Sequence, residues 1–110
     1  MSKTKAKRGA GRPHAIDRLI HEPARYSIMS YLYVVEEADF IFIMNQTELT
    51  WGNLSSHLSK LEKAGYVEIS KEFVDRKPHT MLRLTKKGRR AFEIYRKSMQ
   101  QALSELPGQD

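Results

Sequence analysis

The chain has 110 residues, 40% of them hydrophobic and none of them cysteine, with a formal net charge of +6. That length points to a single domain. The absence of cysteine excludes disulfides, thiolate zinc sites and cysteine redox sensing, and no apolar run approaches the roughly 18 residues of a membrane span. Charge is unevenly sited: residues 1–13 carry +5, residues 14–75 carry −5, residues 76–97 carry +8 and the last thirteen carry −2. Positive charge gathered into a tail and one later segment suggests an anionic partner met by defined surfaces, nucleic acid foremost. The basic N-terminus lacks the apolar stretch of a secretory signal, so a cytoplasmic, nucleoid-associated location is expected.

Residues 1–13 are too poor in hydrophobics to order themselves and are predicted to be disordered when free. Within them K-R-G-A-G-R-P (Lys7 to Pro13) partly resembles the AT-hook, an arm that lays arginines into A·T-rich minor grooves. Ala10 and Gly11 interrupt the Arg-Gly-Arg-Pro core of that motif, leaving Arg12 as the candidate contact. A basic tail gripping phosphates without sequence preference is the favoured reading. The folded domain is expected over residues 14–106, with a short tail at 107–110.

Ile16 to Ile20 reads as a short helical turn. Pro23 suits the first position of the next helix, where its missing N–H costs nothing. From there Ala24, Ile28, Tyr31/Leu32 and Val35 recur at helical spacing up to Glu36–Glu37. Asp39 is placed to cap a short helix through F-I-F-I-M. By periodicity that run could equally be a buried strand; helix is preferred because it would stack on the helix that follows. Asn45 to Leu49 form the turn, with Gln46 near its edge.

The stretch T-W-G-N-L-S-S-H-L-S-K-L-E-K-A-G-Y-V (Thr50 to Val67) organises the rest. At 3.6 residues per turn Leu54, Leu58 and Leu61 share one arc. Gly52, Ser56, Ser59, Lys60 and Lys63 face away from it, with Asn53 and Ser55 on the flanks. An ordinary solvated face would carry mixed Glu/Lys pairs. A small, hydrogen-bonding, basic face suits a helix pressed into a groove of DNA. Thr50 is the expected N-cap, and Gly65 the left-handed residue after the helix.

Tyr66 to Phe73 alternates apolar and polar residues, and with Met81 to Leu84 it reads as a two-stranded hairpin. Val74 to His79, charged and containing Pro78, is expected to be an exposed loop. Thr85 caps a final helix that opens with Lys86-Lys87-Gly88-Arg89-Arg90. Basic charge opposes the dipole at a helix start, a mismatch that is tolerable where the turn faces phosphate. Phe92, Tyr95, Met99, Ala102 and Leu106 then recur at 3, 4, 3, 4, a short coiled-coil-like seam that packs on the chain's own first helix or on a second subunit.

This order of elements resembles the winged helix-turn-helix transcriptional regulators of the MarR/ArsR type, small single-domain proteins of prokaryotes. L-S-S-H-L-S-K-L-E-K-A-G-Y-V (Leu54 to Val67) and T-M-L-R-L-T-K-K-G-R-R-A-F (Thr80 to Phe92) carry the resemblance, which covers residues 15–106. It implies an α+β fold: a three-helix bundle, a two-stranded wing and a long C-terminal dimerisation helix. It implies double-stranded DNA as partner, with Thr50, Trp51, Asn53, Ser55, Ser56 and Lys60 facing the major groove and Arg76, Lys77 and His79 on the wing. Asn53 suits adenine N6/N7, and the serines suit bases or phosphates. Lys60, Lys63, Gln46 and Lys86 would lie beside the groove. Trp51 is open between a packed residue and a phosphate donor, and His57 is read as structural. A homodimer is expected through Phe92, Tyr95, Met99, Ala102, Leu103 and Leu106, spacing two recognition helices by about 34–36 Å.

No enzyme chemistry is legible. His14, His21, His57 and His79 are scattered without metal-ligand spacing, and there is no phosphate loop or nucleophile–base motif, so no cofactor or metal is expected. Tyr26, Tyr31, Tyr33 and Tyr95 would allow a pocket for a small apolar effector; core and interface anchors are the preferred reading, and no motif supports an effector. Two other functions remain open. A nonspecific architectural DNA-binding protein is kept alive by the lack of arginine on the recognition face. A protein-interaction winged helix is opposed by the basic tail and wing.

Overall fold

The computed structural model describes residues 16–106; the tail of residues 1–13 with Arg12, and residues 107–110, lie outside them. Asp17 opens the described chain by accepting the Leu19 and Ile20 N–H groups at 3.0 and 3.3 Å, and the turn it closes drives Ile20 into the core. Helix α1 (Pro23–Tyr33) starts on Pro23, with the Glu22 carboxylate accepting the Arg25 N–H at 2.9 Å. It stops at Tyr33, short of the expected Glu36–Glu37. There Arg89 donates to the Tyr33 carbonyl at 2.8 Å and lies 4.8 Å over its ring. A cation at a helix C-terminus satisfies a free carbonyl and complements the dipole.

The chain next forms β1 (Ala38–Asp39), a two-residue strand pairing with Leu82 and Met81. The wing sheet therefore has three antiparallel strands, not the expected two, in the order β1-β3-β2. Two residues are too few for alternation to reveal a strand. Asp39 also caps α2 (Phe40–Thr47), its carboxylate accepting the Ile41 N–H at 2.7 Å. The ambiguous F-I-F-I-M run is thus a helix, burying Phe40 and Ile43 while leaving Ile41 and Phe42 exposed. Only Glu48 to Thr50 remain for the turn, with Glu48 left-handed at φ 58°.

Helix α3 (Trp51–Lys63) follows, capped by Thr50, whose hydroxyl accepts the Asn53 N–H at 3.2 Å. Strands β2 (Val67–Val74) and β3 (Lys77–Leu84) pair from Val67↔Leu84 to Val74↔Lys77. The loop expected over 74–79 is thus strand, apart from Asp75 and Arg76. Both of these have positive φ, 53° and 67°, as a two-residue type I′ hairpin turn requires. Pro78 is tolerated because it pairs with Phe73 beyond the reach of β1, where its missing N–H leaves no ladder bond unmade. Helix α4 (Lys86–Ser104) closes the described chain.

One core gathers Ile20, Ile28, Leu32, Ile43, the three α3 leucines and Leu82, each at most 2% exposed. The passage from α3 through the sheet into α4 is held at a single junction. Gly65 has the expected positive φ, 81°. Thr85 donates its hydroxyl to the Gly65 carbonyl at 2.6 Å and accepts the Gly88 N–H at 2.9 Å. At Gly88 a Cβ would stand 2.0 Å from the Tyr66 carbonyl oxygen, so α4 packs against the backbone of the first wing strand's approach. Burial, with the bond Tyr66 donates to Asp17 at 2.6 Å, pushes the Tyr66 phenol up to about 12.

Gly88→Ala should therefore lower unfolding free energy by about 1–3 kcal/mol through overpacking against an unyielding backbone atom, read from the urea midpoint. An unchanged or raised midpoint would mean that this approach is not tight.

Candidate nucleic-acid interface

Helix α3 sorts its residues by the depth of its leucines. Leu54, Leu58 and Leu61 are 0–2% exposed, and each such burial contributes about 1.5–3 kcal/mol. The helix cannot roll about its axis without surfacing one of them. Thr50, Trp51, Asn53, Ser55, Ser56, Lys60 and Lys63 are consequently all exposed, as is Gln46 at the end of α2. Among the described residues, the side chains of Gln46, Asn53, Ser55, Ser56, Lys60 and Lys63 have no intramolecular polar partner. The surface is a set of unspent donors and acceptors. Lys60 and Lys63 also sit in the last turn, where the helix dipole favours them.

Two residues of this segment are engaged from behind. The His57 Nδ1 lies 3.1 Å from the Arg25 guanidinium and 3.9 Å from the Glu22 carboxylate. A guanidinium has no acceptor, so the imidazole accepts there, and His57 joins α3 to the start of α1. Trp51 keeps both of its readings: its ring packs on Phe40 at 4.5 Å between centroids, yet the residue is 61% exposed. A cleft of about 250 Å³ lined by Phe40, Trp51, Pro78, His79 and Thr80 connects the start of α3 to the wing.

On the wing, Arg76 and Lys77 are exposed and unpaired, and so is Lys71. The alternation of its strand puts Lys71 on a face without marking it as a contact. His79 stands apart from them: half-buried, its Nδ1 pairs with the carboxylate oxygen of Asp39 that does not cap α2. Expected as a wing-tip contact, it instead ties β3 to the N-cap of α2, because β3 begins at Lys77 and carries residue 79 inward. This bond, more than the backbone N–H of Ile41, holds the Asp39 carboxyl below the usual aspartate range. Arg83 likewise serves the sheet, bridging Glu37 at 2.7 Å and Glu68 at 3.1 Å.

The basic start of α4 divides. Lys86 and Arg90 are exposed and unpaired, whereas Arg89 caps α1 and Lys87 lies 5.8 Å over the Tyr66 ring. The seam expected to face a second subunit divides as well. Phe92 and Tyr95 are 2% and 9% exposed within their own subunit. Phe92 packs on Tyr26 and Tyr33 at 5.5 and 5.2 Å, and Tyr95 bonds His21 at 2.7 Å. They are core because α4 crosses α1 there, so they have almost no surface left to offer a partner. Met99 is half-buried against the same core and Ala102 is half-buried, while Leu103 and Leu106 are 55% and 51% exposed. The tyrosines of the first and last helices act as anchors; an open hollow of about 330 Å³ lies beyond them, lined by Tyr26, Tyr95, Met99 and Leu103 among others. Among the described residues no helix is long and apolar enough to cross a membrane.

A helix-turn-helix whose second helix presents unspent polar groups, followed by a sharp basic hairpin, defines the winged-helix transcriptional regulators. The chain belongs to the winged helix DNA-binding domain family, whose model matches residues 24–103. An uncharacterized protein of Methanocaldococcus jannaschii is 36% identical over 78 residues, covering 71% of this chain and 85% of that one. A transcriptional regulator homologue from Pyrococcus horikoshii OT3 superposes with a TM-score of 0.80 at 29% identity, over 87% of this chain and 95% of the other. The transcriptional repressor CouR, solved bound to a 23-mer DNA duplex, has a TM-score of 0.66 at 24% identity, covering 98% and 82%; that likeness shows the fold alone.

The Asp39–His79 tie predicts an acid-sensitive contribution to stability. A depressed folded-state pKa adds stability that is complete above the ordinary aspartate value and fades as pH falls through the lowered one. Asp39→Asn should thus lose less stability than the parent on acidification. His79→Ala should bring the Asp39 carboxyl back up toward its ordinary value in a carboxyl NMR titration. An unmoved titration would remove His79 as the cause.

Proposed function

We propose that the protein is a sequence-specific, double-stranded DNA-binding transcriptional regulator acting as a homodimer in the cytoplasm, at the nucleoid. The observation that carries this reading is the outward row of Asn53, Ser55, Ser56 and Lys60, exposed and without intramolecular partners on a helix that its leucines hold in place. Buried or engaged polar groups would have no capacity for a base edge; these have all of theirs. Asn53 reads adenine in the major groove, the serines take bases or phosphates, and Lys60, Lys63 and Gln46 flank the groove. Arg76 and Lys77 reach the neighbouring minor groove, and Lys86 with the basic tail holds phosphate. CouR, which shares the fold, has been solved on a duplex, in keeping with this arrangement.

Exposed Leu103 on the last helix and Leu106 just past its end, with Tyr26 at 38%, leave an apolar strip of the kind that a second copy covers. A two-fold pair would place two α3 helices one turn of DNA apart. A second reading, architectural coating of DNA, is favoured by one feature: the α3 face carries no arginine, the commonest reader of guanine.

Selection from a random duplex pool followed by footprinting separates the two. A regulator prefers one site by at least about 10³-fold at fixed salt; an architectural protein binds nearly uniformly with a steep salt slope. Asn53→Ala and Ser56→Ala should flatten the preference while leaving the fold intact. Leu103→Asp should halve the mass seen by light scattering and weaken a two-half-site duplex about a hundredfold through lost avidity. An unchanged mass would place the dimer contact elsewhere.

A further inference from the structure

Phosphate contact does not account for Phe73. At 77% it is the most exposed large hydrophobic among the described residues. Its strand face explains how it comes to stand there. Val67, Ile69, Lys71 and Phe73 alternate onto one side of the hairpin, opposite Leu84, Leu82, Thr80 and Pro78. The inner pairs of that face join the core, Lys71 and Thr80 form its rim, and Phe73 with Pro78 carries an apolar surface on past the body of the domain. Val74, 42% exposed, adds one apolar side chain to the other face of the tip, opposite Lys77. Among the described residues no strand covers this end, since β1 reaches only Met81 and Leu82. The fold gains little from a phenyl ring at that place.

The surroundings say what the ring would meet. Lys71, Arg76 and Lys77 are exposed and unpaired around it, against Asp75 in the turn. A cationic rim about an apolar point complements a polyanion with an apolar interior, which describes the stacked bases of a duplex between their phosphates and not an apolar protein surface. Width decides how it enters. Two paired strands lie about 4.8 Å apart before any side chain is added, and a B-form minor groove is about 6 Å wide. The ribbon therefore straddles the groove and only side chains go in.

We propose that Phe73 is an apolar wedge: with the wing's cations on the phosphates of the two groove walls, its ring enters the minor groove and leans between adjacent base pairs, partly unstacking them and bending the duplex toward the major groove. This rests on the DNA reading above and adds a source of sequence choice that the arginine-free α3 lacks. Pyrimidine–purine steps such as TA and CA/TG unstack most readily, so the wing selects such a step without a hydrogen bond to it. Pro78, opposite, stiffens the strand that backs the ring.

The test uses the full chain and the duplex won by selection, with 2-aminopurine placed at the step beneath the wing. Parent protein should raise its fluorescence several-fold and bend the duplex in a permuted-site mobility assay. Phe73→Ala should keep its melting temperature, lose the fluorescence rise and the bend, and bind about tenfold more weakly, as the loss of one aromatic–base contact implies. Its salt slope should not change, because no phosphate contact is removed. Phe73→Leu, which keeps an apolar wedge, should retain most of the bend. Equal fluorescence and bending by parent and Phe73→Ala would overturn the wedge, as would weaker binding with the fluorescence rise intact. A fall in mass of free Phe73→Ala by light scattering would overturn it in favour of a self-association face. Failure of the parent to select any duplex would sink the DNA reading, and the wedge with it, before any substitution is made.

Discussion

The burial of Leu54, Leu58 and Leu61 against the rest of the core is the interaction on which the whole surface chemistry of this protein depends. A helix held on one side by three near-fully buried leucines has a single rotational setting. That setting decides which residues are spent on the fold and which are left over. Ser55, Ser56 and Lys60 are left over because Leu54, Leu58 and Leu61 are not. His57, one step from Leu58, falls within reach of Arg25 and is drawn into the scaffold. The division between structure and interface on α3 is thus a consequence of helical geometry and burial, with no further specification required.

The position of the wing relative to that helix depends on a second set of contacts, which are polar and directional. Asp39 caps α2 with one oxygen and holds His79 with the other, so a single carboxylate relates the helix-turn-helix to the sheet. The Thr85 hydroxyl and the bare Cα of Gly88 do the same for the far end of the hairpin and α4. Apolar burial is non-directional and would tolerate some sliding of the wing; these bonds do not. The proposed two-part reading surface, α3 for one groove and the wing for the next, needs that relation fixed.

Helix α4 shows the opposite economy, serving the fold in its first half and leaving its second half unspent. Phe92 and Tyr95 complete a ladder of rings with Tyr26 and Tyr33, and Arg89 closes the end of α1. Two turns later Leu103 is more than half exposed because α1 no longer runs beneath it. The same heptad-like spacing therefore continues from intramolecular core to free surface without any change of pattern in the sequence.

Local chemistry was legible in the sequence: the caps at Thr50, Asp39 and Thr85, the left-handed Gly65, the leucine arc, and the alternation of the hairpin's inner half. Each depends on residues within one or two turns of one another, and side-chain spacing carries that information whatever surrounds it. The candidate reading row on α3 followed from the leucine arc in the same way. What spacing could not carry was any partnership between segments distant in the chain. The two-residue β1 is a strand only because β3 lies beside it, and α1 ends where Arg89, 56 residues later, reaches its last carbonyl. His79 is made a tie between sheet and helix by Asp39 on another strand, and Phe92 and Tyr95 are core only because α1 crosses them. Those decisions belong to tertiary structure, because burial and pairing are properties of what stands opposite a residue, and the chain names no opposites.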